Sequence, residues 1–320
     1  MVDQATYVAT KSWTVPVGHP RIRLDAFARR CLPHLSRRAV EEAIRDGCFS
    51  VRQRVVKKGD QLAGGDELAF RGPEVWLAAN PPPNANLAAP IVYEDETILI
   101  VNKPAGMPTH GFSARDSATL ANFLLWQEPQ LTKVGKSRWE PGLVHRLDRE
   151  TSGLVVIAKT QAAFERLRLQ FRRREVKKIY WALVCGKAPV EGVMDMPLAH
   201  AGRDQRRMRT VKGAARGQQR VWKALTRYRC IGRCRGASLL EIDMETGVTH
   251  QIRVHLAAIG HSIVGDSLYG DPKQDLGLRR HFLHARSLTF VHPQNERILT
   301  LVAELPSELA ELLVRLRITP

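Results

Sequence analysis

The segment LVHRLDRETSGLVVIAK (Leu143–Lys159) interrupts an apolar, strand-like pattern with Arg146, Asp148, Arg149, Glu150, Thr151, Ser152 and Gly153. Its flanks are Leu and Val runs of the kind that lie buried within a sheet. A polar insertion between two such runs places a turn at the edge of a core, and Asp is a good turn former. Two accounts of Asp148 compete on this stretch alone. One is an Asx-type turn followed by a Thr/Ser cluster, and the other is a carboxylate held at a strand end for chemistry. Arg253 favours the second, because a guanidinium facing a buried carboxylate keeps the acid ionised and nucleophilic.

Working outward, IVYEDETILIVNKPAGMPTH (Ile91–His110) reads as strand, acidic turn, strand and a Pro104-Ala105-Gly106 turn. A helix follows at SATLANFLLW, with Leu120, Phe123 and Leu124 on one face. After Lys159, Thr160 caps a helix whose Phe164, Leu167 and Phe171 form an apolar stripe, with Arg166, Arg168, Arg172 and Arg173 facing outward. KIYWALVCG alternates, placing Tyr180, Ala182 and Val184 on one strand face. SLLEIDME alternates likewise, and THQIRVHLAAIG reads as a helix capped by Thr249 and ended by Gly260. Strands outnumber helices, so the expected class is α+β with a mixed, largely antiparallel sheet.

The chain has 320 residues, with 49 Lys and Arg against 32 Asp and Glu, a net charge of +17. That balance calls for a polyanionic partner, nucleic acid before an anionic membrane surface. An upstream stretch, RIRLDAFARRCLPHLSRRAVEEAIRDGCFSVRQRVVKKGDQLAGGDELAF (Arg21–Phe70), presents many of these cations. There Leu24, Phe27 and Ala28 recur at helical spacing, and Ser36 caps a second helix carrying Val40 and Ile44 that Gly47 ends. Short strands are expected at 48–51 and 67–70. Arg37, Arg38, Arg45, Lys57 and Lys58 are the candidate phosphate contacts of this module. The stretch Arg71–Pro90, rich in proline and small residues, reads as a linker unable to sustain a helix or a central strand. The expected organisation is an N-terminal extension (1–20), a basic α/β module (21–72), a linker (73–90) and a large domain (91–320).

Five scattered cysteines and an N-terminus without a basic and an apolar region suggest reduced thiols and a cytoplasmic location, and no apolar run has the length of a membrane span. His250, His255, His261, His281 and His284 are close in sequence, yet HQIRVH turns its histidines onto different helix faces and lacks the glutamate of a zinc-protease helix. CIGRC offers one cysteine pair without a second. No metal and no cofactor is expected, since Walker, G-x-G-x-x-G and G-x-S-x-G patterns are also missing. Tyr180, following the basic run RRREVKK, reads as a core residue taken alone. In a basic cleft beside a carboxylate its ring suits stacking on a base and its hydroxyl a proton relay.

HRLDRETSGLVVIAK, KKIYWALVCG, TGVTHQIRVHLAAIGHSIVGDSLYG, FLHARSLTFVHP and ELP stand in the order found in RluA-type RNA pseudouridine synthases, which the chain resembles from about Ile91 to Pro306. The upstream module resembles the S4 RNA-binding domain, departing from it where RQR (Arg52–Arg54) replaces a common Asn-Gly turn. The resemblance implies cofactor-free isomerisation of uridine to pseudouridine in structured RNA, large-subunit ribosomal RNA first and transfer RNA second; a monomer is the default expectation, and the absence of a span-length apolar run gives no membrane partner. It implies that Asp148 is the nucleophile toward C1′ of the ribose or C6 of the uracil, and that Arg146 enters the RNA helix as the target flips out. It also implies that Tyr180 stacks on the target and handles the C5 proton, and that Arg253 pairs with the aspartate. Val248 stands where the family usually has Arg or another polar residue. The alternatives are a non-catalytic RNA-binding or ribosome-assembly protein, and a metal-dependent nuclease whose ligand spacing is missing.

Overall fold

The computed structural model of the chain describes residues 8–33, 35–77, 80–111, 116–202, 204–211 and 220–319. These sort into two compact units: residues up to Ala88 with His110–Pro141, and Ala89–Thr109 with Gly142–Pro320.

In the first unit, β1 (Val8–Thr14), β2 (Ile22–Arg23), α1 (Leu24–Cys31), α2 (Arg37–Arg45), β3 (Phe49–Val51), β4 (Arg54–Val55), β5 (Gln61–Leu62) and β6 (Glu67–Pro73) follow in chain order. Strands pair as β1-β6-β3-β4, with β2 on β5. Leu24 and Phe27 of α1 and Val40 and Ile44 of α2 bury against Phe49 and Phe70, whose rings meet edge to face at 5.3 Å. Ser36 Oγ accepts from Ala39 N–H at 3.1 Å and caps α2 as expected. The Val51–Arg54 hairpin is closed by Arg52 and Gln53, both at positive φ (50° and 66°). The tight turn thus survives without the Asn-Gly pair that suits it. A further helix, α3 (Leu120–Gln127), starts at Thr119 with a capping box to Asn122.

The linker expectation for Arg71–Pro90 needs correction at its start. β6 runs to Pro73 in the centre of its sheet, pairing Arg71, Gly72 and Pro73 with Thr10, Ala9 and Val8. Proline is tolerated because it ends the strand. A Cβ on Gly72 would fall 2.9 Å from the Phe70 ring, so the close packing itself requires glycine. Trp76 beyond it is fully buried in the core. Residues 78–79 of that stretch, and 1–7 of the expected N-terminal extension, lie outside the described residues.

The second unit is α+β around a nine-stranded, mostly antiparallel sheet. Its strands are β7 (Ile91–Glu94), β8 (Ile98–Lys103), β9 (Ser152–Ala158), β10 (Lys177–Cys185), β11 (Glu191–Asp195), β15 (Leu225–Cys234), β16 (Ala237–Met244), β17 (Leu283–Val291) and β18 (Ile298–Val302), in the order β11-β15-β16-β10-β17-β9-β8-β7 with β18 beside β17. A small sheet of β12 (Leu198–Ala201), β13 (Asp204–Thr210) and β14 (Val221–Trp222) stands apart. Helices α4 (Gln161–Arg173), α5 (Gln251–Ala258) and α6 (Ser307–Arg315) complete the unit. Every residue of β9 is buried, as its unbroken apolar run requires.

The α5 expectation fails at its start: His250 at φ +56°, rather than Thr249, occupies the cap position, and no side chain there caps the helix. The Gln251 side chain instead ties down the segment before the helix, its Oε1 accepting Val248 N–H at 3.1 Å and Thr246 Oγ1–H at 2.8 Å.

β9 and β17 form the parallel pair of the sheet, at Ser152↔His284 and Gly153↔Ala285. Gly153 has φ +119°, and a Cβ there would stand 2.3 Å from the Ala285 carbonyl oxygen and 2.6 Å from its nitrogen. Backbone cannot yield as a flexible side chain can. Gly153→Ala should therefore destabilise the chain by about 3 kcal/mol or more, combining overpacking with a strained φ. Urea denaturation of the two proteins measures it, and a loss under about 1 kcal/mol would contradict the close approach.

Candidate active site

The turn that opens β9 is held from several directions. Thr109 Oγ1 donates to Leu147 O at 2.7 Å and accepts from Leu147 N–H at 3.1 Å. Lys103, fully buried at the end of β8, donates from Nζ to Pro104 O (2.9 Å), Met107 O (2.8 Å) and Arg149 O (3.2 Å). Gly106 N–H also reaches Arg149 O, and Arg149 Nε donates back to Gly106 O at 2.9 Å. From the far side Arg280 Nη1 donates to Glu150 O at 3.1 Å, and Thr151 Oγ1 lies 2.9 Å from His281 Nε2. The polar insertion in the apolar run thus forms a clamped loop that presents Asp148.

Asp148 is partly exposed, its Oδ2 3.1 Å from Arg253 Nη1 and 3.8 Å from His250 Nε2. Arg253, buried on α5, is the partner expected from sequence across 105 positions. It is shared with a carboxylate that sequence reasoning missed: Asp266 Oδ2 accepts from Nε at 2.8 Å and Oδ1 from Nη2 at 2.9 Å. Asp266 also accepts the N–H groups of Leu268 and Tyr269. Its side chain is fully buried, yet these donors hold its pKa below the ordinary carboxylate value against the effect of burial. The motif VGDSLYG carried the signal, an acid in a turn within an apolar setting.

A cleft of about 100 Å³ opens beside Asp148, with Arg146, Thr151, Tyr180, Val248, His250, Arg253 and Leu283 in its lining. Tyr180 is buried, and burial first, then the charge of Asp148, raises its phenol pKa above the usual value. It therefore enters as a neutral phenol, able to donate or to stack. Arg146 is exposed at this cleft. Val248 packs its side chain with Trp222 and Tyr269 against Leu198, Met208, Ala224 and Val254, so an apolar contact stands where a polar one was expected.

The histidines serve hydrogen bonding. His145 Nε2 accepts from Val156 N–H at 2.9 Å and its ring stacks on Phe171 at 4.7 Å; burial, with the charges of Lys178 and Arg168, brings its pKa down to about 3. Burial brings His281 to about 3 and His284 to about 4. Among the described residues no cluster of three His, Cys, Asp or Glu is placed to hold a metal ion.

In the first unit Arg37, Arg38, Arg45 and Lys57 are exposed and Lys58 half-buried. Glu41 takes Arg37 Nε and Lys58 Nζ, each at 2.8 Å, so two of the five candidate phosphate contacts are already engaged. Arg38, Arg45 and Lys57 have no ion-pair partner among the described residues.

The family model for RNA pseudouridylate synthase matches residues 97–258. The chain is similar to an uncharacterised RNA pseudouridine synthase of Synechocystis sp., 36% identical over 95% of this chain and 91% of that one. It is similar to ribosomal large subunit pseudouridine synthase D of Neisseria meningitidis, 35% identical over 95% and 81% of the two chains, and to that of Zymomonas mobilis, 36% identical over 93% and 94%. Among solved structures, human RNA pseudouridylate synthase domain containing 4 aligns over 72% of this chain and 94% of its own, at 29% identity and a TM-score of 0.56.

Burial brings the Lys103 pKa down to about 7, opposed by the charges of Asp148 and Glu150. Between about pH 7 and pH 10 the unfolded chain then holds a proton at this site that the folded one has released, so the contribution of Lys103 to stability grows as pH rises through that window. Below about pH 7 both states are protonated and the dependence ends. Chemical denaturation of wild type and Lys103→Met across pH 6–10 should show the difference moving in favour of wild type above about pH 7, and a difference independent of pH would contradict it.

Proposed function

The chain belongs to the RNA pseudouridylate synthase family, isomerases of RNA uridine, and from that premise we propose that its substrate is large-subunit ribosomal RNA and that Asp148 is its nucleophile. In the net reaction the N1–C1′ bond breaks and a C5–C1′ bond forms, while C5 gives up a proton and N1 takes one. No external oxidant or reductant enters. The observation that carries the assignment of Asp148 is its carboxylate at the cleft, 3.1 Å from a buried guanidinium and beside a neutral phenol. Arg253 compensates the charge and fixes the carboxylate's direction, while two of its other donors, from Nε and Nη2, are committed to Asp266. Tyr180 supplies a stacking face and a hydroxyl for the C5 proton. Arg146, exposed at the cleft, takes the place vacated by the target base as it flips out.

The ribosomal substrate rests on the names of relatives that span most of both chains. Mapping pseudouridines in ribosomal and transfer RNA from cells with and without the gene identifies the target. Purified Asp148→Asn should lose at least about a thousandfold in single-turnover rate with RNA affinity changed only a few-fold, since the amide keeps the shape without the nucleophile. Retained pseudouridine formation by that variant would remove the assignment, and RNA bound but left unmodified by wild type would favour the non-catalytic alternative.

The first unit is proposed to act as an S4-like module that holds RNA phosphates. Its exposed cations on α2 and after the β3–β4 hairpin support this, Arg38, Arg45 and Lys57 more than Arg37 and Lys58, which would first have to leave Glu41. Replacing Arg38, Arg45 and Lys57 together by Ala should reduce the slope of log affinity against log salt by about 2 to 3, at roughly 0.7–0.9 per phosphate contact. An unchanged slope in filter binding would place the RNA elsewhere.

A further inference from the structure

His250 is bound into the site more tightly than a bystander requires. Its backbone sits in the left-handed region at φ +56°, a conformation that non-glycine residues adopt at a cost. Its Nδ1 lies 2.8 Å from Tyr269 Oη, and the two rings meet edge on at 5.6 Å. Tyr269 Oη also accepts the backbone N–H of Met208 at 2.9 Å. Among the described residues Nδ1 is the acceptor within reach of the phenol hydrogen, and with Tyr269 assigned as the donor to it the ring proton resides on Nε2. That tautomer turns an N–H donor toward the cleft. Asp148 Oδ2 is 3.8 Å from Nε2, beyond hydrogen-bond length, so this donor is not used up by the carboxylate. Tyr269 itself is set by Asp266, which accepts its backbone N–H at 3.1 Å, and the Arg253 guanidinium lies over its ring at 5.2 Å. One turn therefore fixes both groups that face Asp148.

The cleft has two kinds of wall. Leu147, Tyr180, Ile252 and Leu283 suit the face of a base, while Asp148, His250 and Arg253 suit the hydroxyl-bearing ribose. Resting on the reading of Asp148 as the nucleophile, we infer that His250 Nε2–H donates to the ribose 2′-oxygen of the target nucleotide, with Tyr269 as its positioning residue. The 2′-oxygen sits on the carbon next to C1′, so a donor just out of reach of Oδ2 meets it when the ribose lies against the carboxylate. The contact would make the enzyme sense the group that separates RNA from DNA at the reacting nucleotide itself. Desolvation lowers the His250 pKa, opposed by Asp148, which keeps the ring neutral and its tautomer defined.

The test pairs two proteins with two substrates. The probe is a short RNA stem-loop carrying the mapped target, synthesised with uridine or with 2′-deoxyuridine at that position. His250→Asn is the variant, because Asn tolerates the left-handed backbone and serves as a helix cap, so thermal melts should be unchanged or raised. Wild type should react at least about tenfold faster on uridine than on 2′-deoxyuridine, the loss expected for a donor left unpaired. His250→Asn should be slower on uridine and discriminate less than about threefold. Effects of deoxyribose on the chemistry itself fall on both proteins alike and cancel in the comparison. Tyr269→Phe should retain the fold and reduce the same discrimination, with long-range ¹⁵N–¹H spectra of His250 showing the Nδ1–H tautomer that wild type lacks. Undiminished discrimination in His250→Asn, or a wild-type rate on uridine, would overturn the contact while leaving the nucleophile assignment standing. Turnover by Asp148→Asn would instead remove both.

Discussion

A single buried guanidinium organises the candidate site. Arg253 lies between Asp266, whose side chain is fully buried, and Asp148, which is partly exposed. Removing three charges from water is expensive, and the arrangement is tolerable because nearly every polar atom finds a partner. Asp266 takes two guanidinium N–H groups and two backbone N–H groups, which leaves Arg253 one direction in which to offer Nη1. Asp266 is thus the fixed end of the triad, and Asp148, the proposed nucleophile, the more open one. A carboxylate meant to react must not be saturated with donors, and the unequal division of Arg253 between the two acids meets that condition.

The clamped loop carrying Asp148 explains why an apolar run should break where it does. β9 lies buried between β8 and β17, and its parallel pairing with β17 at Ser152 and Gly153 fixes where the strand begins. The loop before it must then satisfy its own backbone groups within the protein, since little water reaches them. Lys103, Thr109 and Arg280 do so by donating to the carbonyls of Arg149, Leu147 and Glu150. Each is remote in sequence; an apolar residue in place of Thr109 or Arg280 would take away a side-chain donor from its carbonyl, whereas Arg149 O also keeps the Gly106 N–H.

This division marks how far the sequence could be read. Features set by local chemistry were legible: the caps at Ser36 and Thr160, the alternation of Lys177–Cys185, and the apolar flanks of Leu143–Lys159. The pairing of Asp148 with Arg253 was within reach because each stands out as a charge inside an apolar motif. What escaped was set by tertiary neighbours. Thr249 resembles a cap, but the chain turns through a left-handed His250 at that position, which sets its side chain at the cleft. Arg71–Pro73 resembles a linker, but β1 supplies the partner strand that makes it sheet. Asp266 and Tyr269 look like ordinary turn residues until the fold sets Arg253 and His250 against them.

The histidines show the same limit from the other side. Five of them between His250 and His284 invite a metal-centred reading, yet the structure disperses them. His255 faces Thr226 and Met196 O, His261 faces Cys185 O, and His284 faces Ser152 and Ala303 O. His255 and His284 are two-ended hydrogen-bonding bridges, and burial favours their neutral form by lowering their pKa. His281 and His284 sit near the loop that carries Asp148, yet their neutral rings brace Thr151 and Ser152 and do not serve as proton carriers near pH 7. On the proposed reading, the chemistry in the cleft then falls to Asp148 and the neutral phenol of Tyr180. Such a site suits a rearrangement that needs one nucleophile and one proton handed from C5 to N1, with no net gain or loss of charge.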